Sequence, residues 1–296
     1  MYQLIWDNQT CDQHLPLTKL CALLSVSKRE YYIWQHDRII KAGFTDHTEI
    51  QLKDRIHRLA LEFPGYGYRR ITKQLQREGF NVNHKKILKL LKKENLLCHI
   101  RKPNHSRKFI PITTNSAHSF PVYPNLAKNL LLTAINQLWV ADITYIRLKE
   151  EFVYLAFIID VFSRKCIGWE IDYYIDTKLT LQALYKAFKV RTNQKLSGLI
   201  HHSDRGGQYA ATEYTDCLKM YNLSISMSLP ANPYDNAFAE TFIKTLKYEE
   251  VYLNEYESFS ELYTNVYKFI EDVYNKKRLH SSIGYLPPNE FEINHP

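Results

Sequence analysis

The chain has 296 residues and a formal net charge of +8, and 45% of its residues are hydrophobic. This length predicts two or three domains, and the apolar content with only 9 glycines and 11 prolines excludes a globally disordered chain. Five scattered cysteines without C-x-x-C spacing disfavour a disulfide framework, and without a signal-peptide pattern or an apolar run of about 20 residues we expect a cytoplasmic protein with no membrane partner.

The charge is unevenly distributed along the chain. Residues 1–112 hold 21 Lys and Arg against 10 Asp and Glu, a surplus of +11, whereas the remaining residues have a net charge of −3. This division predicts that the first part binds phosphates and the second part holds cations. A lysine-rich surface that only meets solvent would give the same composition.

Residues 1–45 form the first predicted domain, a helix-turn-helix. Four leucines recur at helical spacing in its first helix: Leu17, Leu20, Leu23 and Leu24. Ser27 then lies where it can cap a second helix that contains Tyr31 and Trp34. Any small antiparallel pair of helices gives this pattern, so the sequence does not show that this domain binds DNA.

Residues 46–112 form a second predicted helix-turn-helix domain, which has three helices. Apolar residues mark the first of these: Ile50, Ile56, Leu59 and Leu61. The second helix is predicted from about Arg69 to Arg77. Asn83 is placed to cap a third helix from His84 to about Asn95.

The third helix of this domain is amphipathic and has one basic side. The predicted DNA contacts lie on that side: Lys85, Lys86, Lys89 and Lys92. A basic side opposite an apolar side suits the third helix of such a domain for entry into a major groove. Arg69 and Arg70 are predicted to contact phosphates as well. A helix whose lysines only keep it soluble would show the same pattern.

Residues 134–254 are predicted to form a catalytic core, after a linker at 113–133 and before a C-terminal helical extension at 255–296. The predicted strands are 138–148, 152–161, 166–172, 199–202 and 223–227, and the predicted helices are 177–190, 214–221 and 236–251. Three consecutive strands followed by alternating helices and strands predict an α/β fold. The order is that of a ribonuclease-H-like mixed sheet, here preceded by all-α helix-turn-helix units.

Three carboxylates are candidates for one metal site in this core. Asp142 lies within the first strand and Asp204 just after the fourth, so the two meet if those strands are neighbours. Glu240 lies near the start of a helix, with Lys244 and Lys247 on the same side. Oxygen ligands of this kind suit two Mg²⁺ (or Mn²⁺) ions, which can activate an oxygen nucleophile and stabilise a leaving oxygen.

Each carboxylate alone has a simpler explanation. Asp142 fits a buried, hydrogen-bonded strand residue, Asp204 fits a turn residue, and Glu240 fits a charge on a helix surface. Asp160, which also follows an apolar strand, is a competing candidate for the site. His201 and His202 are adjacent on a strand, so their side chains point to opposite faces and cannot bind one metal together.

The resemblance of this chain to a known family rests on four motifs: Trp139-x-x-Asp142-Ile143-Thr144, His202-Ser203-Asp204-Arg205-Gly206-x-Gln208-Tyr209, Asp235-Asn236-Ala237-x-x-Glu240-x-Phe242-x-x-x-Leu246-Lys247-x-Glu249, and Tyr274-Asn275-x-x-Arg278-x-His280-x-x-x-Gly284-Tyr285-x-x-Pro288. With 35 residues between Asp204 and Glu240, the set resembles the D, D(35)E triad of retroviral integrases. Together the motifs resemble the catalytic subunit of bacterial insertion-sequence transposases whose full enzyme is made by frameshifting between two overlapping reading frames.

This resemblance implies a DNA transposase that cleaves the element's 3′ ends and transfers them to another strand. It implies that Asp142, Asp204 and Glu240 hold the metal ions, that Lys244, Lys247 and Arg278 contact DNA, and that His202 and Asn236 support the site. The implied partners are double-stranded DNA (terminal repeats and target), further copies of the chain on that DNA, and the upstream-frame product, in the bacterial nucleoid. A hydrolytic nuclease of the same fold and a non-catalytic DNA-binding regulator are the alternative functions.

Overall fold

The computed structural model describes residues 1–9, 15–41, 47–98, 118–192, 194–229 and 236–295. The start of the predicted linker (113–117), Asp235 of the third motif and Cys11 lie outside the described residues. The chain forms two compact units, Met1–Leu59 and Ala60–Pro296. The division falls inside a helix, and the domain boundaries drawn from the sequence remain predictions.

The first unit is helical throughout its described part. Helix α1 spans Tyr2–Gln9, α2 spans Leu17–Leu23, α3 spans Lys28–Lys41, and α4 begins at His47 and ends at Glu62 in the second unit. Ile5, Cys21 and Tyr31 form a small buried core, and the ring of Trp34 stacks at its edge on Tyr31 and Tyr2. The two helices predicted from the leucine spacing and from Ser27 are therefore confirmed, and α1 is an addition.

The buried side of α4 differs from the predicted one. Leu52, Ile56 and Leu59 are buried, whereas Ile50 is 51% and Leu61 79% exposed. The buried residues follow the spacing i, i+4, i+7, while Ile50 and Leu61 each lie two residues from that series and so about 200° around the helix. The assignment of Ile50 and Leu61 to the apolar side was wrong.

Two short helices open the second unit. Helix α5 spans Tyr68–Arg77 and α6 spans His84–Lys93. The side chain of Asn83 accepts a hydrogen bond of 2.8 Å from the backbone N–H of Lys85, which confirms the predicted N-cap. Ile87, Leu90 and Leu91 are buried, as the amphipathic pattern predicted.

A five-stranded mixed sheet forms the centre of the second unit. Its strands are β1 (Leu138–Arg147), β2 (Phe152–Asp160), β3 (Cys166–Asp172), β4 (Ile200–Ser203) and β5 (Ser224–Met227). Their order is β3-β2-β1-β4-β5; β1 pairs antiparallel with β2 and parallel with β4. The predicted mixed sheet is therefore confirmed, and each predicted strand is found to within about two residues.

The helices of this unit follow the predicted order. They are α7 (Thr177–Val190), α8 (Gly207–Ala210), α9 (Thr212–Met220), α10 (Ala237–Glu249), α11 (Phe259–Tyr267) and α12 (Pro288–Asn294). Helix α11 continues as a π-helical segment at Lys268–Tyr274, and short 3₁₀ turns lie at Val251–Leu253 and Ser281–Ile283. None of the helices in the described residues combines the length and the apolar character needed to cross a membrane.

The sheet has a hydrophobic core on each face. On one face Phe157 packs with Phe242 of α10 and with Leu262 and Ile270 of the C-terminal helices. On the other face the neighbouring residue Ile158 belongs to a core shared with α7 and α9. Successive strand residues point to opposite faces, so β2 contributes to both cores and the sheet is the middle of three layers.

Candidate active site

The pairing of β1 with β4 places two of the predicted site residues side by side. The strands run parallel, and Val140 is opposite His202. Asp142 lies two residues after Val140, within β1, and Asp204 lies two residues after His202, directly after the end of β4. Because each aspartate lies two residues beyond a member of the same residue pair, Asp142 and Asp204 come to the same level on neighbouring parallel segments. The predicted neighbourhood of the first and fourth strands is confirmed.

Hydrogen bonds fix both oxygens of Asp142. Oδ1 accepts a hydrogen bond from the backbone N–H of Ile143 at 2.8 Å, and Oδ2 accepts one from the side-chain amide of Asn236 at 3.1 Å. Asn236 is 7% exposed and immediately precedes α10. Its Oδ1 atom is buried and has no hydrogen-bond partner within the described part of the chain. The structure therefore places Asn236 against the first carboxylate.

The charge of Asp142 is disfavoured by its surroundings. Burial is the largest cause, the carboxylate of Asp204 adds to it, Glu240 contributes less, and together they raise the pKa of Asp142 to about 8. The ammonium group of Lys247 opposes this shift. Asp142 keeps some solvent contact, so dense packing around the carboxylate, rather than complete enclosure, produces the effect.

The loop after β4 holds Asp204 in place. Its Oδ1 accepts a hydrogen bond from the N–H of Gly206 at 2.9 Å. A Cβ atom at Gly206 would lie only 3.0 Å from the same oxygen, so a glycine lets the backbone approach the carboxylate closely. Tyr209 is buried beyond this turn, and its pKa is raised by burial, by Tyr214 and by Asp142 and Asp204. Tyr209 was not predicted as a site residue, although it ends the second motif.

Glu240 lies on the first turn of α10 and is exposed. Its charge reaches Asp142, as the raised pKa of that residue shows. Among the described residues, no three His, Cys, Asp or Glu side chains are close enough to hold a metal ion. That Glu240 meets both aspartates within coordination distance therefore remains a prediction.

The two lysines of α10 have different surroundings. Lys244 is exposed, whereas the ammonium group of Lys247 lies 4.1 Å from the ring centre of Tyr145 on β1. Burial lowers the pKa of Lys247, and the attraction of Asp142 opposes this. An ammonium group is thus held at the edge of the carboxylate site by an aromatic ring. Tyr145 is a further residue that the sequence did not single out.

The two histidines of β4 point to opposite faces of the sheet, as predicted. His201 bonds to the hydroxyl of Tyr214 on α9 at 3.0 Å, and burial lowers the pKa of this histidine to about 3. His202 bonds to Ser226 on β5 at 2.8 Å, and Ser226 in turn accepts a hydrogen bond from the N–H of Leu126. His202 thus packs within the sheet, two residues before Asp204.

Asp160, the competing candidate, belongs to a different cluster. It is fully buried and accepts hydrogen bonds from the backbone N–H groups of Asn136 and Phe162. The guanidinium of Arg191 lies 3.4 Å from it and also binds Glu292 of α12. Its partners fix the end of β2 and the C-terminal helix, so the structure gives Asp160 a structural role.

The predicted DNA contacts of α6 lie at the surface. Four lysines of this helix were predicted and are exposed: Lys85, Lys86, Lys89 and Lys92. Lys93 is also exposed. With Ile87, Leu90 and Leu91 buried, one side of α6 is available to a polyanion.

The three predicted arginines are placed differently. Arg69 is exposed, and Arg70 is partly buried at 3.8 Å from Glu249. Arg278 is only 3% exposed, and its Nε and Nη2 donate to the two oxygens of Glu249 at 2.7 and 2.6 Å. This bidentate ion pair places Arg278 inside the protein, where DNA does not reach a guanidinium.

The fold is that of enzymes with an integrase-type core. Family descriptions agree with this class. The description "Integrase core domain" matches residues 133–233 and again 221–288, and "HTH-like domain" matches residues 47–104.

Relatives with known names narrow the class. The insertion element IS600 uncharacterized 31 kDa protein of Shigella sonnei is 35% identical over 92% of this chain and 97% of its own. Transposase InsF for insertion sequence IS3A of Escherichia coli (strain K12) is 34% identical over 92% of each chain. The HTLV-2 integrase catalytic core domain in complex with magnesium (trimeric form) is 15% identical, with a TM-score of 0.40, over 54% of this chain and 97% of that chain. The chain belongs to the IS3 family of insertion-sequence transposases.

Proposed function

We propose that Asp142, Asp204 and Glu240 bind two Mg²⁺ (or Mn²⁺) ions and form the centre at which this transposase cleaves and transfers DNA ends. The observation that carries the proposal is the register of β1 and β4, which brings Asp142 level with Asp204. The residues fit a metal in two further respects. A divalent cation would favour the ionised form of Asp142, which burial and two carboxylates disfavour. The buried Oδ1 of Asn236 could accept a hydrogen bond from a bound water.

When bound, the ions would activate the attacking oxygen and stabilise the leaving oxygen. The chain's own groups orient the reactants. Asn236 and the N–H of Gly206 hold one oxygen each of the two aspartates. Lys247, next to Asp142, would attract the phosphate. Water first attacks phosphorus and breaks the bond to the 3′ oxygen; the freed 3′-OH then attacks a second phosphodiester and displaces its 3′ oxygen.

The proposed partners are double-stranded DNA and further copies of the chain. The exposed lysines of α6 and Arg69 would bind the terminal repeats, and Lys244 and Lys247 would bind the DNA end. Assembly on DNA as a homo-multimer, a contribution by the upstream-frame product and a location on the bacterial nucleoid complete the proposal. The similarity to named insertion-sequence transposases supports the DNA partner. For Arg278 we propose a structural role instead of a DNA contact, because of its bidentate pair with Glu249.

A joining assay tests the proposed centre. The full chain is given Mg²⁺ and a pre-cut DNA end, with a free 3′-OH, taken from the DNA that flanks its own gene. We expect joined products from the unchanged protein. We expect a loss of at least about 10³-fold in Asp142→Asn, Asp204→Asn and Glu240→Gln, with salt-sensitive DNA binding retained. Hydrolysis without joining would instead indicate a nuclease.

A matched substitution controls for general loss of a carboxylate. Asp216 is an exposed carboxylate on α9 that pairs with Lys219 at 2.9 Å, outside the proposed centre. Asp216→Asn is expected to join DNA like the unchanged protein. DNA binding with no chemistry in any of the proteins, the unchanged one included, would point to a non-catalytic regulator.

A further inference from the structure

One side of α5 is directed at the C-terminal part of the chain. Arg70, Lys73 and Arg77 follow the spacing i, i+3, i+7 and so share a side of the helix. Arg70 lies 3.8 Å from Glu249, the ammonium group of Lys73 lies 5.7 Å from the ring centre of Tyr285, and Arg77 forms an ion pair with Glu290. The basic side of α5 thus contacts the catalytic half: Arg70 is partly buried there, while Lys73 and Arg77 reach it from exposed positions.

Glu249 is the centre of this contact. It ends α10, the helix that begins near Glu240, and it accepts both hydrogen bonds of the buried Arg278. Only 11% of its side chain is exposed. Gly65, in the turn before α5, packs so tightly on it that a Cβ atom there would collide with Glu249 Cγ. Glu249 therefore contacts three parts of the chain: Arg70 of α5, Gly65 in the turn before α5, and Arg278 in the C-terminal segment.

A second set of contacts reinforces the first. The backbone N–H of Leu279 donates to the buried hydroxyl of Tyr66 at 2.7 Å, and the guanidinium of Arg70 lies over the Tyr66 ring at 5.6 Å. Lys277 forms an ion pair with Glu62 at 3.6 Å. The segment 277–279 is thereby joined to the same turn before α5 that contacts Glu249.

We propose that Glu249 is a positioning residue for Glu240, through which the helix pair α5–α6 sets the placement of α10. The inference rests on the role proposed above for Glu240. The two glutamates are nine positions apart in α10, so they lie about 13 Å apart along one rigid helix. Fixing the end of α10 at Glu249 fixes the depth and rotation at which Glu240 and Lys247 meet the aspartates. DNA bound to α6 would steady α5, and through Glu249 the catalytic helix.

Two adjacent arginines provide the test in the full-length protein. Arg70→Ala removes the contact of α5 with Glu249 and leaves the Glu249–Arg278 pair intact, whereas Arg69→Ala removes an exposed arginine of the same helix. In Arg70→Ala we expect about tenfold faster amide hydrogen exchange in α10, without DNA or metal. We also expect the Mg²⁺ concentration for half-maximal joining to rise at least about threefold. In Arg69→Ala we expect weaker DNA binding and unchanged exchange in α10.

Two conservative substitutions at Glu249 distinguish a positioning role from a general effect on folding. Glu249→Asp keeps the charge and is expected to retain more joining activity and slower α10 exchange than Glu249→Gln. Unchanged α10 exchange in Arg70→Ala would overturn the proposal. So would a loss of joining in Arg70→Ala that only follows a loss of DNA affinity, because Arg70 would then be a DNA contact. Exchange is measured without chemistry, so it still reports on Glu249 if the proposed catalytic centre fails its own test.

Discussion

At the scale of single residues, Asp142 shows how one side chain depends on its neighbours. Its backbone position lies within an ordinary strand, and its two hydrogen bonds are those of many buried aspartates. Burial is the largest cause of its raised pKa, and the nearby carboxylates of Asp204 and Glu240 raise it further. A buried carboxylate whose pKa is raised further by two other carboxylates indicates a cation site, because structural carboxylates are more often paired with Arg or Lys. Burial also raises the pKa of Asp160, but the guanidinium of Arg191 beside it opposes that shift.

The pKa of Asp142 predicts a dependence of stability on pH. Without metal, the folded protein keeps a proton on Asp142 up to about pH 8, whereas the unfolded chain loses it near pH 4. Between these values the folded state binds more protons, so the contribution of Asp142 to the free energy of unfolding falls as pH rises. Asp142→Asn should therefore be more stable than the unchanged protein at pH 8, by up to a few kcal/mol, and equally stable near pH 4.

Denaturant unfolding at several pH values, with and without Mg²⁺, measures this difference. Comparing the two proteins at each pH cancels the titration of other groups, such as His201. We expect Mg²⁺ to stabilise the unchanged protein more than Asp142→Asn at pH 8. Equal stability of the two metal-free proteins across this pH range would mean that neither burial nor the neighbouring carboxylates raise the pKa of Asp142.

Asn236 predicts a loss of activity with little loss of stability. Removing its amide in Asn236→Ala leaves Asp142 without one hydrogen bond, which costs roughly 0.5–1.5 kcal/mol of folding free energy. The orientation of Asp142 as a metal ligand is more sensitive to this hydrogen bond than folding is, so joining should fall about 10- to 100-fold. Denaturant unfolding and the joining assay measure the two effects. A fall in joining no larger than the fall in folded protein would leave Asn236 with a packing role only.

At the scale of elements, α5 and α6 have similar composition and different surroundings. Both are short and basic, and the sequence assigned DNA contacts to each. The structure leaves the lysines of α6 exposed and turns Arg70, Lys73 and Arg77 of α5 toward Glu249, Tyr285 and Glu290. The lysines of α6 therefore present their charge to solvent, whereas these three basic residues of α5 also contact the catalytic half, although Lys73 and Arg77 stay exposed.

The lysines of α6 predict a salt-dependent DNA affinity. Replacing Lys85, Lys89 and Lys92 together by alanine should lower DNA affinity and reduce the slope of log affinity against log salt by about 2–3, since each lost phosphate contact contributes roughly 0.9. Fluorescence anisotropy at several salt concentrations measures the slope. Lys219→Ala, which removes an exposed lysine of α9, should leave it unchanged. The same slope in the triple variant would show that α6 does not face the DNA.

The sequence predicted features that depend on interactions between residues close together in the chain better than features that depend on residues far apart in it. The strands and the Asn83 cap depend on neighbouring residues, and they were located to within about two positions. Placing Asp142 beside Asp204 needed only the strand order. Arg278 was misjudged because its partner, Glu249, is 29 residues away, and the burial of both depends on packing between distant elements. The role of Asp160 was ambiguous because an aspartate that follows an apolar strand has the same sequence pattern whether it accepts backbone hydrogen bonds or binds a metal.

At the scale of the whole molecule, the C-terminal helices share a buried core with the central sheet. The sequence set residues 255–296 apart as an extension. In the structure, Leu262, Val266, Phe269 and Ile270 belong to the same buried cluster as Phe157 of the central sheet. The face of the sheet that supports α10 is therefore covered by residues that follow the third carboxylate in the chain.

This shared core predicts that a chain ending at residue 254 does not fold. Burial of the four apolar side chains that would be lost contributes roughly 6–12 kcal/mol, comparable with the entire stability of a typical domain. Single substitutions in the full chain provide the graded test. Phe269→Ala should cost about 3–5 kcal/mol and Lys268→Ala, at an exposed neighbour, less than about 0.5. Denaturant unfolding measures both, and a native-like truncated chain would contradict the shared core.

The parallel register of β1 and β4 also limits how this gene can change in length. Two residues separate the Val140–His202 pair from each aspartate. A single codon lost or gained inside either short stretch would turn a carboxylate away from the other, because strand side chains alternate. Codons gained in the loops between strands leave that geometry intact. Collections of active copies from many genomes should therefore show length variation in the connections and none at 140–142 or 202–204.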